Sequence, residues 1–123
     1  MGVIFSFARM PKIKPSQRVK KRYIVFQIES GQKFWFEDVK RAIINAIVRY
    51  TGEFGLELAK IFIIKNVYLM EKQRGVMRVT LKSLNQIRLV LSKIDSIKGE
   101  KANIKIIGIS GILKKAKYKF LNK

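Results

Sequence analysis

The clearest indication of fold lies in residues 74–81, which read Arg-Gly-Val-Met-Arg-Val-Thr-Leu. Met77, Val79 and Leu81 fall on one face of an extended chain, and the residues between them fall on the other. An alternation with a period of two is typical of a half-buried β-strand. Because helix-like patterns lie on both sides of this stretch, we predict that it is a central strand of one small sheet.

Other hydrophobic patterns predict two main helices and three more strands. Apolar residues at spacings of three and four indicate a helix ended by Gly52 and a second helix whose apolar stripe begins at Leu84. The predicted segments are strands at residues 22–28, 60–65 and 103–109, a first helix at 36–50, a turn at 52–55 and a last helix at 112–121.

This order of elements predicts an α+β fold. Strand, helix, strand, strand, helix, strand is the ferredoxin-like or RNA-recognition-like βαββαβ sandwich, here with an extra C-terminal helix. In that fold the four strands form one antiparallel sheet, the first and third strands are central, and both main helices cover one face. Residues 1–21 are predicted to be a basic, poorly ordered arm, because Pro11 and Pro15 break any helix there. Residues 22–123 are predicted to form a single domain.

The charge of the chain points to a polyanionic partner. It has 27 basic and 8 acidic residues, a formal net charge of +19. Two segments without an acidic residue, 9–22 and 101–123, hold seven basic residues each. A positive electrostatic field of this strength raises the local concentration of polyanions. Nucleic acid is therefore the first interpretation of the charge, an anionic membrane surface the second, and a solvated surface without a partner the third.

The composition argues against several kinds of chemistry. The chain has no cysteine and no histidine, which removes disulfides, thiolate metal ligands and the commonest general base. Its acidic residues are scattered, so we predict no catalytic residue, no metal site and no cofactor on this chain. The longest run of large apolar residues, at 61–64, is far too short to span a membrane, and no secretory signal is recognised. A cytoplasmic protein without a membrane partner is expected.

Two basic elements are candidate RNA contacts. The third strand begins with Arg74 and Gly75, which fit the RNA-recognition octamer, but Val76, Arg78 and Leu81 stand where that octamer has aromatics. We therefore predict no stacking platform on that strand, and direct RNA contact by Arg74 is as plausible as a solvated arginine beside a turn glycine. In the last helix the apolar side is predicted to dock on the domain while lysines face phosphates, the alternative being a solvated helix end. The candidate RNA-binding residues are Arg18, Lys20, Lys21, Arg22, Arg74, Arg78, Lys114, Lys115, Lys117 and Lys119.

Apolar residues on the sheet face without helices need a cover. Val25, Val76 and Ile107 are predicted to point outward there, and either the last helix or another protein has to cover them. We favour a protein partner or self-association, and we add Phe54 to these three as the predicted protein interface. Trp35 is expected to be a core or interface aromatic rather than a base-stacking residue.

Four motifs, taken in order, resemble a known family. They are KRYI at residues 21–24, GEFG at 52–55, RGVMRV at 74–79 and GISGILKKA at 108–116. Over residues 18–119 the chain resembles the archaeal ribonuclease P protein component 2 family, with Ile112 where threonine is more usual.

The resemblance implies a non-catalytic subunit of an endoribonuclease that removes 5′ leaders from precursor tRNA. The catalytic RNA cleaves with Mg²⁺, and this protein supports the catalytic domain of that RNA and contacts precursor tRNA only indirectly. The resemblance also implies ribonuclease P protein component 3 as a partner and allows a homodimer within a larger complex. Two alternatives stay open: a general or ribosomal RNA-binding protein, and a small ferredoxin-like hydrolase that acts on acidic substrates.

Overall fold

A computed structural model describes residues 19–122, so Arg18 and nearly all of the predicted arm lie outside the described residues. The strands are β1 (Lys21–Glu29), β2 (Phe62–Ile63), β3 (Arg74–Thr80), β4 (Ser96–Ile97), β5 (Glu100–Lys101) and β6 (Asn103–Ser110). The helices are α1 (Phe36–Ala59), α2 (Leu84–Ser92) and α3 (Leu113–Ala116), and α3 continues as a π-helical turn over Lys117–Leu121.

The main sheet has the strand order β2-β3-β1-β6, and every neighbouring pair is antiparallel. The predicted α+β sandwich with central first and third strands is therefore confirmed. Ile24 and Met77 pair across the two central strands, and both side chains are fully buried. They pack with Ile43 of α1 and Leu91 of α2 in one core between the helices and the inner face of the sheet.

The first helix and the strand after it differ from their predicted extents. α1 runs to Ala59, but Gly52 interrupts it with φ 76° and ψ 173°. The glycine does break the helix, since a positive φ suits a residue without a side chain, but the turn predicted at residues 52–55 is wrong. The helix resumes there because Leu56 and Ala59 pack against the core. β2 keeps only two residues, because Lys60 is left-handed and a 3₁₀ turn begins at Lys65.

A buried polar network joins the segment before α1 to the segment before β3. Gln73, which is 7% exposed, accepts a hydrogen bond from the Phe34 backbone N–H at 2.9 Å. The side-chain amide of Gln73 donates to the Met70 carbonyl at 2.7 Å and to the Tyr68 hydroxyl at 3.1 Å. The Tyr68 hydroxyl in turn donates to the Phe34 carbonyl at 2.7 Å. Burial raises the pKa of Tyr68 from 10.0 to about 12, against a smaller lowering by Gln73.

This shift predicts a loss of stability in alkaline solution. The folded protein holds the Tyr68 proton more tightly than the unfolded chain. The contribution of Tyr68 to the free energy of unfolding is therefore complete below about pH 10 and is lost as the pH rises to about 12. Tyr68→Phe should have a lower free energy of unfolding near neutral pH, by about 1–3 kcal/mol for the two lost hydrogen bonds. Its free energy of unfolding should fall less steeply between those two pH values in urea titrations. Tyr118→Phe, at an 80% exposed position, is the control and should follow the wild type.

Candidate nucleic-acid interface

The outer face of the sheet is covered in part by the chain's own C-terminal helix. Val25 and Val76 are fully buried there against Ala116 and Leu121. The prediction that these two valines contact a protein partner is therefore wrong, because no surface of either is exposed. Ile107 is the extra residue of β6 where the pairing with β1 shifts, and it packs, partly buried, against the same cluster.

Two features allow the C-terminal helix to lie close to the sheet. A side chain on Gly108 would overlap the Phe120 ring, so the absence of one lets that ring rest on β6. The π-helical turn closes with the Asn122 N–H donating to the Lys117 carbonyl at 3.3 Å, and Leu121 is buried within that turn. Ile112, the first residue of the predicted last helix, instead precedes α3 in an extended conformation and is 54% exposed.

Arg74 fastens the end of this helix to the sheet. Its guanidinium donates from Nη1 to the Phe120 and Leu121 carbonyls at 3.3 and 3.4 Å, and from Nε to the Gln27 side chain at 2.9 Å. Lys72 donates to the Asn122 carbonyl at 2.8 Å. Cations at the carbonyl end of a helix satisfy its unpaired acceptors and its dipole. Arg74 thus has a structural role, and the RNA contact predicted for it stays a prediction.

The contact at Gly108 can be tested by filling it. Gly108→Ala should lower the free energy of unfolding by about 1–3 kcal/mol, because the Phe120 ring has to move. The C-terminal lysines should also become more sensitive to trypsin. Gly31→Ala is the control, since a side chain there meets nothing within 4 Å. Equal effects of the two substitutions would show that the packing of Phe120 on β6 does not require a glycine at position 108.

The outward side of the C-terminal helix is basic. Lys114, Lys115, Lys117 and Lys119 are all exposed. The ion pairs between described residues use Lys33, Arg41, Lys65 and Lys98 instead. Because the apolar side of the helix is held against the sheet, these ammonium groups face solvent and are available to phosphates.

The basic start of β1 lies beside the start of the C-terminal helix. The guanidinium of Arg22 comes within 3.6 Å of the position that a side chain would occupy at Gly111. Lys20 is exposed, and its carbonyl accepts a hydrogen bond from the Leu81 N–H at 2.8 Å. Lys21 is partly buried at the first position of β1. The two basic segments, far apart in sequence, therefore adjoin in space.

Arg78 lies on the outer face of β3 and stacks on an aromatic ring. Its guanidinium carbon is 5.2 Å from the centre of the Phe62 ring. Phe62 of β2 and Tyr23 of β1 are the residues paired with Arg78 on its two sides. Sequence reasoning missed both aromatics, because only the register of three separate strands shows that they flank one arginine.

Other aromatic residues are exposed outside this sheet face, among them Phe54 and Trp35. Phe54 of α1 is 75% exposed, and Trp35 just before α1 is 68% exposed. Trp35 is therefore not a core residue. In residues 19–122 no three acidic side chains lie together as a metal site would require, and no helix of that region is long and apolar enough to cross a membrane.

Comparison with known proteins places the chain in a family. Residues 22–121 match the family model described as Rpp14/Pop5 family. The chain belongs to the Rpp14/Pop5 family. Ribonuclease P protein component 2 of Pyrococcus furiosus is 37% identical over 114 residues, which cover 93% of each chain. The protein of the same name from Thermococcus gammatolerans is 35% identical over 109 residues, or 89% of each chain. The resemblance inferred from the four sequence motifs is confirmed.

A solved structure supports the Rpp14/Pop5 fold. A chain in the cryo-EM structure of yeast ribonuclease MRP matches with a TM-score of 0.61, and the match covers 76% of each chain. The sequence identity is 16%, so this likeness bears on the fold alone.

Proposed function

We propose that this Rpp14/Pop5 protein is a non-catalytic subunit of ribonuclease P that binds the enzyme's RNA and supports removal of 5′ leaders from precursor tRNA. Relatives named ribonuclease P protein component 2 cover nine-tenths of the chain, which supports this role. The observation that carries it is the C-terminal helix, whose apolar side is fixed to the sheet and whose exposed lysines are not engaged in the observed ion pairs.

The proposal extends to the partners of the chain. The lysines of the C-terminal helix and the adjoining basic start of β1 contact phosphates of the catalytic domain of the RNA, and that RNA binds the Mg²⁺ for cleavage. Precursor tRNA is met only indirectly, and the complex is cytoplasmic. Protein component 3 binds an exposed apolar surface, for which Phe54 and Leu58, 75% and 55% exposed one turn apart on α1, are the best candidates. A second copy of the chain within the complex is also consistent with this arrangement.

Reconstitution of leader cleavage tests the proposal. Adding the protein to the RNA and the other subunits should raise the cleavage rate most at low Mg²⁺, because protein cations and Mg²⁺ both neutralise phosphate repulsion. The difference should shrink as Mg²⁺ is raised. Cleavage by the protein without RNA would support the hydrolase alternative, and stable co-purification with ribosomal subunits would support the ribosomal one.

A further inference from the structure

A row of side chains crosses the outer face of the sheet beside the part that the C-terminal helix covers. Phe62 of β2 pairs with Arg78 of β3, Arg78 pairs with Tyr23 of β1, and Tyr23 pairs with Ser110 of β6. The row stands two residues along from the buried pair of Val25 and Val76 on the central strands. Phe62 is 50% exposed, and Arg78, Tyr23 and Ser110 are partly exposed.

Arg78 is held in an unusual state within this row. Its Nε is buried and has no hydrogen-bond partner among the residues that the structure describes. Buried polar atoms are nearly always hydrogen-bonded, so such a donor points to a partner outside residues 19–122. The guanidinium rests instead on the Phe62 ring, 5.2 Å from the ring centre.

The charges around the row favour an anionic occupant. β2, β3 and β6 contain no carboxylate, and the one acidic residue of β1, Glu29, is at the opposite end of that strand from Tyr23. Lys21 lies two residues before Tyr23, and Arg22 lies between them. A flat ring and a flat cation side by side in a basic setting match the base and phosphate of a nucleotide better than an apolar protein surface.

We propose that Phe62, Arg78 and Tyr23 form a stacking site for one unpaired nucleotide of RNA. The base stacks on the half-exposed Phe62 ring, and the Arg78 guanidinium takes the place that an aromatic has in the third strand of RNA-recognition domains. Tyr23, which pairs with Arg78 on its other side, contacts the remainder of the nucleotide. Lys21 neutralises the adjoining phosphate. The inference rests on the proposed RNA-binding function and adds to it a contact with a base, beyond the phosphate contacts of the C-terminal lysines.

The test measures binding of octauridylate carrying one 4-thiouridine. Phe62→Leu keeps an apolar side chain but removes the aromatic ring. Arg78→Lys keeps the positive charge but removes the planar guanidinium group. Each should weaken binding by about 5–150-fold, the range that corresponds to the loss of one base–aromatic stacking contact. The slope of log affinity against log salt should not change, because neither substitution removes a charge. Photocrosslinks of the wild-type protein should map to Phe62 or Tyr23.

A matched control variant separates the test of the stacking site from the test of the proposed role in ribonuclease P. Trp35→Leu removes an exposed ring from the residue before α1 and should bind octauridylate as the wild type does. If Phe62→Leu and Arg78→Lys bind as the wild type, or if the wild type does not bind octauridylate, the stacking site is refuted. If these variants lose only component 3, the surface contacts protein. In each of these cases support of leader cleavage by the wild type still reports separately on the proposed function.

Discussion

Replacing Lys114, Lys115 and Lys117 with glutamine should reduce the affinity for ribonuclease P RNA by about 10²-fold near physiological salt. Each phosphate that a lysine neutralises contributes about 0.7–0.9 to the slope of log affinity against log salt, so the loss of three lysines should lower the slope by about 2–3. The side chains are exposed on the outward side of a helix whose other side is buried, so the fold should tolerate the substitutions. Filter binding over a range of salt concentrations measures both quantities.

A control triple separates this contact from the overall charge. Lys40, Arg41 and Arg49 are exposed on α1, which packs on the opposite face of the sheet. Their replacement with glutamine removes the same formal charge and should change the salt slope much less. Equal slopes for the two triples would mean that the RNA responds only to net charge. A slope unchanged by the first triple would remove the C-terminal helix from the RNA interface.

Phe26→Ala should produce the largest loss of stability. Phe26 is fully buried at the centre of β1, and its ring fills the space over Gly75, where a Cβ would come within 2.6 Å of Cζ. Truncating a buried phenylalanine costs about 3–5 kcal/mol through lost burial and the cavity left behind. The free energy of unfolding of a whole domain is about 5–15 kcal/mol, so a measurable fraction of the variant should be unfolded. Urea unfolding followed by circular dichroism measures the loss.

The comparison with an exposed phenylalanine makes the result specific. Phe54→Ala removes the same atoms from a 75% exposed position and should change the free energy of unfolding by no more than about 0.5 kcal/mol. If Phe26→Ala cost as little, the core would not depend on this ring, and the packing of β1 under the helices would have to be reconsidered.

The C-terminal helix links stability to function in this Rpp14/Pop5 protein. The inner side of the helix is held by the hydrogen bonds from Arg74 and by the packing of the Phe120 ring over Gly108. This anchoring fixes the positions of the lysines on its outer side. Substitutions that release the helix should therefore weaken RNA binding even though they remove no RNA-facing charge. Gly108→Ala, chosen above for stability, also tests this coupling when its RNA affinity is measured.

The sequence by itself determined the order of elements, the inner face of each central strand and the family. These are local properties, because the alternation of Met77 and Val79 and the spacing of Ile43 and Ile47 involve only residues close together in the sequence. The continuation of α1 past Gly52 was missed, because a left-handed glycine between two helical stretches reads as an end unless the packing of Ala59 is known.

The tertiary structure alone decided which surfaces are free. Val25 and Val76 looked available because a strand pattern shows which way a side chain points but not what lies above it, and the C-terminal helix lies there. Arg74 and Arg78 have the same charge on the same face of β3, yet one holds helix carbonyls and the other rests on Phe62. Such roles depend on contacts between residues far apart in the sequence, such as Val25 with Leu121 or Arg74 with Phe120. Only the pairing of strands and the docking of a helix create those contacts.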